Sequence, residues 1–216
     1  MTATGETLRA VLALVIGLLL GSVLPADLLA RRRGIDIRSV GDGNPGTVNA
    51  VRALGWTPGL ITAAYDVCVG VVAIQIATLL GVTAGPAYLA GIMSVAGHRF
   101  PVFRGFRGGG QGMAASAGML VYGIAVALSH GWLSAVDVGG LIAIVVITFV
   151  LTRWGSTAPL VMLPVLVIMV ILAHTDWQFL VFVAAVAAHI WVVQAAATRR
   201  QLASRPTRPA CDQTRA

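Results

Sequence analysis

The sequence predicts an all-α integral membrane protein with seven transmembrane helices, an N-terminus outside the cell and a C-terminus in the cytoplasm. Of its 216 residues, 57% are hydrophobic and 11% are charged, whereas a soluble domain carries about 25% charged residues. Apolar segments close to the roughly 20 residues needed to cross a bilayer recur along the chain. The net charge of +7 comes from arginines between these segments, so we interpret it as membrane topology and not as a nucleic-acid-binding surface.

The apolar segments define the predicted spans in order. The first lacks a convincing small-x-small cleavage site, so we interpret it as a retained helix and not as a signal peptide. The third is short and can be extended by residues 82–84. Residues 1–198 are expected to form one membrane domain, and residues 199–216 a disordered basic cytoplasmic tail. The predicted spans are residues 8–29, 58–80, 85–97, 112–129, 136–152, 157–173 and 177–197.

The arginines give the predicted orientation. All but one of them, Arg9, lie in alternate connections or in the tail. The intervening connections, near residues 81–84, 130–135 and 174–176, contain no arginine. Because cytoplasmic loops carry the excess of positive charge, the arginine-bearing connections are expected in the cytoplasm. They contain Arg31, Arg32, Arg33, Arg38 and Arg52, then Arg99, Arg104 and Arg107, then Arg153, and the tail follows with Arg199, Arg200, Arg205, Arg208 and Arg215.

The first long cytoplasmic connection contains VGDGNPGTVNAVRALG, residues 40–55. Its glycines permit positive φ and close approach of the backbone to a ligand, and successive N–H groups can form an anion-binding concavity. Asn49 and Arg52 share a face if a helix begins near Thr47. An anion site and an ordinary polar loop capped by Asn44 or Thr47 both fit this composition. The acidic Asp42 in its middle fits an anion site least well.

The second connection reads GHRFPVFRGFRGGGQG, residues 97–112. His98 and Arg99 lie at a predicted membrane boundary, and the three phenylalanines are typical of anchors at headgroup depth. Arg107 leads into a glycine run that opens a helix, where the free N–H groups and the helix dipole favour phosphate. The run lacks the G-K-[ST] ending of a P-loop. Arginine suits phosphate or carboxylate because its planar fork donates two parallel hydrogen bonds.

Two smaller features complete the polar set. Arg153 and Ser156 lie in the third inner connection, where Ser156 is equally well explained as a helix N-cap. Asp27, Asp66 and His189 fall within predicted spans, where ionisable side chains are costly and usually face a cavity or a partner. A structural role and a functional role explain His189 equally well.

Taken together, these motifs resemble the bacterial acyl-phosphate:glycerol-3-phosphate acyltransferases along almost the whole chain. GSVLP in the first span and GIDIRSVGDGNPGTVNAVRALG from Gly34 are similar to the start of that family and its first motif, and GHRFPVFRGFRGG from Gly97 is similar to its second. YDVCVG from Tyr65 stands where the family has D-x-x-K-G. Arg153 and Ser156 match an R-x-x-S pattern, and His189 falls at a histidine of the last span.

The resemblance implies a multi-pass bacterial membrane enzyme of phospholipid synthesis. It would move a fatty acyl group from acyl-phosphate to the 1-hydroxyl of glycerol-3-phosphate, giving lysophosphatidic acid beside membrane lipid. No cofactor, metal or covalent acyl-enzyme is implied, and proximity would supply much of the rate. His98 and His189 are expected to orient groups or handle protons, and Asp42, at the position of a family serine, is a further catalytic candidate. The implied substrate ligands are Gly43, Asn44, Asn49, Arg52, Arg107, Gly108, Gly109, Gln111, Arg153 and Ser156.

The chain also departs from the family pattern. The glycine run of the second motif is one residue longer, and several polar positions are changed in kind. A hydrogen bond to a charged group contributes about 1.5–3 kcal/mol, so a lost phosphate ligand would weaken binding measurably. The changed positions are Asp42 (for serine), Thr47 and Val48 (for Ala-Thr), Val69 (for lysine), Arg107 and Gln111 (for two lysines) and Val192 (for asparagine).

Three functions fit these residues. The first is acyl transfer to glycerol-3-phosphate or to another small acceptor, with Asp42 either a general base or a compensation for the changed charge pattern. The second is a non-catalytic relative that binds a lipid or a membrane partner. The third is a small transporter that uses Asp27 and Asp66 for protons. The absence of an internal repeat and the gathering of polar residues on one face disfavour the transporter.

Overall fold

The computed structural model describes residues 3–152, 158–173 and 176–203, and the regular structure within these ranges is helical. Within these ranges, three helical segments are long and apolar enough to cross a membrane: Thr4–Ser22, Trp56–Leu79 and Trp177–Arg199. Shorter apolar segments are Met113–Ser129, Ala135–Thr148 and Leu160–Leu172. The helices are α1 (Ala3–Ser22), α2 (Pro25–Arg31), α3 (Thr47–Leu54), α4 (Trp56–Leu79), α5 (Ala84–Arg99), α6 (Met113–Ser129), α7 (Ala135–Thr152), α8 (Ala158–Leu172) and α9 (Trp177–Ala203), with a 3₁₀ turn at Val102–Arg104.

The prediction of one helix over residues 8–29 is wrong. Helix α1 ends at Ser22, and the new helix α2 begins at Pro25 after an extended Leu24. Proline lacks the N–H that a helix interior requires, and it disfavours the helical conformation in the residue before it. It is well suited to the first position of a helix. The break places Asp27 in the first turn of α2, where its carboxylate is buried.

Other boundaries follow the sequence more closely. Helix α3 begins at Thr47, and α6 begins directly after the glycine run, at Met113. Helix α9 continues to Ala203, past the predicted start of a disordered tail at residue 199. Alanine, arginine, glutamine and leucine are all good helix formers, which explains the continuation. Residues 204–216 lie outside the described ranges, as do Arg153 and Ser156.

Glycines allow α5, which carries His98, to pack closely against α1. A Cβ atom added to Gly21 would lie less than 3.0 Å from the carbonyl oxygen of Ser94, and one added to Gly97 would lie as close to the carbonyl oxygen of Leu18. Small residues at such positions let helix backbones approach each other in a membrane. The same relation joins α4 and α6, where a Cβ atom on Gly118 would meet the carbonyl oxygen of Val67.

A small hydrophobic cluster packs next to the first glycine-rich segment, residues 40–55. It joins α2, the following loop and α3, and it is separate from the main core of the helix bundle. Because these side chains are buried together, the loop between α2 and α3 is held against these two helices. The members of the cluster are Ala26, Ala30, Ile37, Ala50 and Leu54.

Candidate active site

Asn49 fixes the conformation of the first glycine-rich segment. This side chain is 1% exposed, and its amide donates hydrogen bonds to the carbonyl oxygens of Ile37 (2.9 Å) and Val40 (3.0 Å). Gly41 has a φ of 61°, and a Cβ atom there would collide with Oδ1 of Asn49. Asn49, predicted as a substrate ligand, therefore holds the loop in place, while Arg52 one turn later is exposed.

Asp42 and Asn44 join the two glycine-rich segments. The backbone N–H of Asn44 donates to Oδ1 of Asp42 at 3.0 Å. Oδ1 of Asn44 in turn accepts a hydrogen bond from the backbone N–H of Gln111 at 3.2 Å. The carboxylate of Asp42 thus fixes the turn that presents Asn44 to the second segment. Short polar side chains often stabilise turns in this way, by bonding the backbone two residues on.

The second glycine-rich segment, residues 97–112, folds back on the end of α5. The N–H of Gly110 donates to the carbonyl oxygen of His98 at 2.9 Å. Cβ atoms on Gly109 and Gly110 would fall within 3.0 Å of His98, at its carbonyl oxygen and at its ring nitrogen Nε2 respectively. The run of glycines is therefore required by the close approach of two backbone segments around one histidine.

An arginine cluster on Asp27 ties the second segment to the first. The carboxylate of Asp27 contacts Nη1 of Arg38 at 2.5 Å, Nη1 of Arg104 at 2.8 Å and Nε of Arg31 at 3.2 Å. Nε of Arg38 also donates to the carbonyl oxygen of Gly108 at 2.8 Å. The buried carboxylate of Asp27 thus connects α2, the loop before α3 and, through Arg38, the glycine run. Charge-assisted bonds to the three arginines hold this carboxylate in place.

The two segments enclose a polar cavity of about 330 Å³. Its lining combines an arginine, two carboxylates, an imidazole and two amides with backbone from both glycine-rich segments. Anionic and neutral polar groups of a small ligand could each find partners there. The lining residues are Asp42, Asn44, Gly46, Thr47, Val48, Arg52, Asp66, His98, Gln111, Gly112, Met113 and Ala114.

Buried polar atoms lie beside this cavity on α4 and α5. Asp66 is 2% exposed and His98 is 3% exposed, and Oδ1 of the first lies 3.8 Å from Nδ1 of the second. That separation is too long for a hydrogen bond. In the described part of the chain, neither atom has another partner.

His189 acts on the second segment from α9. Its Nε2 lies 3.0 Å from the carbonyl oxygen of Gln111. Because a carbonyl oxygen only accepts, Nε2 carries the proton in this hydrogen bond. His189 also borders a second cavity of about 230 Å³, with a mostly apolar lining from α5, α6 and α9. The lining residues are Ile92, Val95, Ala96, Arg99, Phe100, Ser116, Met119, Ala185, Val186 and His189.

The structure brings together five of the eleven predicted site residues that lie in the described ranges. Asp42, Asn44, Arg52, His98 and Gln111 line the polar cavity. The others shape the surrounding backbone or stand apart from it: Gly43, Asn49, Gly108 and Gly109 lie in the two segments, Arg107 is exposed outside the lining, and His189 borders the second cavity.

Two lining residues with polar side chains, Asp66 and Thr47, were absent from the predicted site. Asp66 had a signal, because an ionisable side chain within a predicted span usually faces a cavity or a partner. Thr47 had none, since a threonine at the start of a helix is ordinary. Among residues 3–152, 158–173 and 176–203, no three histidine, cysteine or carboxylate side chains are grouped so that they could hold a metal ion.

Comparisons with known proteins give one family. The model of the family described as glycerol-3-phosphate acyltransferase matches residues 11–204. Glycerol-3-phosphate acyltransferase 1 of Deinococcus radiodurans is 46% identical over 114 residues, which are 53% of this chain and 57% of that protein. The glycerol-3-phosphate acyltransferase of Thermus thermophilus is 37% identical over 156 residues, which are 67% of this chain and 78% of that protein.

Solved structures give the same result for the fold. The glycerol 3-phosphate form of PlsY (YgiH), an integral membrane glycerol 3-phosphate acyltransferase, superposes with a TM-score of 0.69 at 27% identity, over 93% of this chain and 96% of that one. The lysophosphatidic acid form of the same enzyme superposes with a TM-score of 0.67 at 26% identity, over 92% and 94% of the two chains.

Proposed function

The chain belongs to the glycerol-3-phosphate acyltransferase family, and we propose from this premise that it acylates the 1-hydroxyl of glycerol-3-phosphate with acyl-phosphate as donor. The product is lysophosphatidic acid, and the protein is a multi-pass protein of the bacterial membrane. The observation that carries the proposal is the 330 Å³ polar cavity, in which both glycine-rich segments meet Arg52 and His98. The solved relative is known with glycerol 3-phosphate and with lysophosphatidic acid, which supports the acceptor and the product.

We further propose seven spans, with the N-terminus outside and the C-terminus in the cytoplasm. Seven of the described helices, α1 and α4 to α9, have 15 residues or more, whereas α2 and α3 have seven and eight. The arginine-bearing connections then fall on one side, as the positive-inside rule requires. Residues 1–198 would form the membrane domain, with the basic remainder in the cytoplasm.

The proposed chemistry needs little more than positioning. Acyl-phosphate is already activated, so the hydroxyl oxygen of the acceptor attacks the acyl carbonyl carbon while the bond from that carbon to the phosphate oxygen breaks. The hydroxyl proton passes to a base in the cavity, and inorganic phosphate leaves. Holding two anionic substrates in line requires cationic donors and backbone N–H groups. Arg52 would supply the first and the glycine-rich segments the second.

The remaining predicted residues receive proposed roles from their places. His98 would orient the acceptor or take its proton. Asp42 keeps a second carboxylate oxygen, Oδ2, without a hydrogen bond in the described chain, and this atom could accept the proton. His189 would act through the backbone of Gln111. Arg107, Arg153 and Ser156 stay substrate ligands on the strength of the resemblance.

The second cavity suits the acyl part of the donor. It lies beside the polar cavity, on the other side of Gly112, whose added Cβ atom would approach Nε2 of His189 to 3.4 Å. Apart from Arg99, Ser116 and His189 its lining is apolar, and burial of apolar chain there would be favourable. We propose that the first carbons of the fatty acyl chain occupy it, with the acyl carbonyl near Gln111.

Arg52→Ala is expected to raise the KM for glycerol-3-phosphate by about tenfold to a hundredfold, because a hydrogen bond to a charged group contributes about 1.5–3 kcal/mol. The measurement is steady-state formation of lysophosphatidic acid by purified protein in detergent. Arg32→Ala is the matched control, since Arg32 is an exposed arginine of the same connection that does not line the cavity. Equal KM values for the two variants would place the phosphate elsewhere.

A further inference from the structure

Three polar atoms of residues that line the 330 Å³ cavity are buried without a hydrogen-bond partner in the described chain. They are Oγ1 of Thr47, Oδ1 of Asp66 and Nδ1 of His98, and all three residues line the cavity. Native proteins leave few buried polar groups unpaired, because such groups lose their hydration without replacement. Three around one cavity indicate that something in the cavity supplies their partners.

The chemistry of the three groups selects the ligand. A carboxylate accepts hydrogen bonds and repels phosphate, a threonine hydroxyl donates and accepts, and a histidine nitrogen does one or the other according to its tautomer. Alcohol hydroxyls, which each donate once and accept as well, match this set. A phosphate does not match it, and it finds Arg52 and the backbone N–H groups in the remainder of the lining.

We propose that Thr47, Asp66 and His98 form a subsite for the diol end of the acceptor, which binds both of its hydroxyls and leaves its phosphate to Arg52. The inference rests on the proposed function, because it takes the acceptor to be a phosphorylated glycerol. Thr47 gives the subsite a feature of this chain, since the family pattern has alanine at that position. In this arrangement Asp66 and Thr47 bind the acceptor and favour it over acceptors that lack the 2-hydroxyl.

The separation between Asp66 and His98 allows this buried acid to bind a hydroxyl of the acceptor. The ring of His98 packs against the backbone of Gly110, where an added Cβ atom would lie less than 3.0 Å from Nε2, and this contact limits any movement of the ring that would close the 3.8 Å separation from Asp66. A hydroxyl between the two groups would hydrogen-bond to both. The subsite is therefore preformed, and binding does not require ordering of these side chains.

The test compares two acceptors across a set of variants. Glycerol-3-phosphate has both hydroxyls, and 3-hydroxypropyl phosphate lacks the 2-hydroxyl while it keeps the phosphate and the nucleophile. Wild-type protein is expected to prefer glycerol-3-phosphate in kcat/KM by about tenfold or more, the effect of one hydrogen bond to a charged group. Asp66→Ala and Thr47→Val are expected to reduce that preference to about threefold or less. Asp66→Asn should retain part of it, because its amide oxygen still accepts.

Thr62→Val is the matched control. Thr62 is a buried hydroxyl one turn before Asp66 on α4, and it donates to the carbonyl oxygen of Pro58 at 2.9 Å without lining the cavity. This variant should keep the wild-type preference whatever it does to stability. A loss of activity on both acceptors in equal proportion, with an unchanged preference in the Asp66 and Thr47 variants, would show a structural role and overturn the subsite.

Equilibrium binding separates this inference from the proposed function. If wild-type protein acylates neither acceptor, the proposed enzymatic function fails, but titration of the same two compounds into the detergent-solubilised protein still tests the subsite. Tighter binding of glycerol-3-phosphate by wild type, lost in Thr47→Val and kept in Thr62→Val, supports the subsite. Equal affinity of wild type for the two compounds overturns it.

Discussion

Gly109→Ala is expected to lower acyl transfer by about a hundredfold, the cost of roughly 1 Å of misplacement in a positioned active site. The added Cβ atom would lie less than 3.0 Å from the carbonyl oxygens of both His98 and Arg99. Both obstacles are backbone at the end of α5, so neither can rotate away. The glycine run would have to shift, and with it the hydrogen bonds of Gly110 to His98 and of Gln111 to Asn44.

Gly139→Ala is the control for this variant. Gly139 lies in α7, and an added Cβ atom would have no heavy atom within 4 Å. Alanine is favoured over glycine by about 1 kcal/mol in a helix interior, so this variant should be as active and at least as stable as wild type. The measurement is initial rate at saturating donor, with size-exclusion profiles to show that both variants are folded. Wild-type activity in Gly109→Ala would contradict the proposed role of the glycine run.

Gly21→Ala is expected to destabilise the folded protein by about 3 kcal/mol, at the upper end of the cost of overpacking. The new Cβ atom would collide with the carbonyl oxygen of Ser94, at a close contact between α1 and α5. Separating these helices would also displace His98, one turn after Ser94 on α5. The expected observation is a lower midpoint of thermal unfolding in detergent, together with a reduced rate of acyl transfer.

Gly140→Ala provides the comparison, since Gly140 is also helical but an added Cβ atom there would have open space. Its unfolding midpoint should equal or exceed that of wild type. If both variants unfold at the same temperature, close packing of α1 on α5 does not contribute to stability as described.

The structure gives the acidic residue of the first glycine-rich segment a local explanation. Asp42 departs from the family's serine, yet its carboxylate accepts the backbone N–H of Asn44, a bond that a serine hydroxyl could also accept. The substitution therefore preserves the turn while it adds a negative charge to the cavity lining. From composition alone, Asp42 conflicts with an anion site. The sequence does not show that one oxygen of its carboxylate already accepts a backbone hydrogen bond.

Sequence was most informative where a residue's chemistry restricts the backbone. The starts of α3 and α6 followed from glycine, asparagine and threonine signals, whereas the Pro25 break was overlooked because the apolar run continues through it. The spacing of Asn49 and Arg52 predicted a shared helix face, and the family resemblance implied that both bind substrate. Instead Asn49 bonds the loop and Arg52 lines the cavity, a difference decided by the path of residues 37–40 and so by tertiary structure.

The subsite residues show the same limit. Asp66 is recognisable in sequence as an ionisable residue within a span, but its approach to His98 depends on the packing of α4 against α5. Thr47 becomes informative only when its hydroxyl is found buried without a partner in the lining of the same cavity. Unpaired polar atoms are a property of the folded molecule, and no pattern along the chain reports them.

The most direct test of the central claim is an acyl-transfer assay on the purified wild-type protein. Radiolabelled glycerol-3-phosphate is incubated with palmitoyl phosphate, and in parallel with palmitoyl-CoA, and the lipid product is resolved and counted. We expect labelled lysophosphatidic acid with palmitoyl phosphate, and one inorganic phosphate released for each product molecule. With palmitoyl-CoA we expect no labelled product above background. Folded protein that forms no lysophosphatidic acid from palmitoyl phosphate would contradict the account and favour a non-catalytic relative.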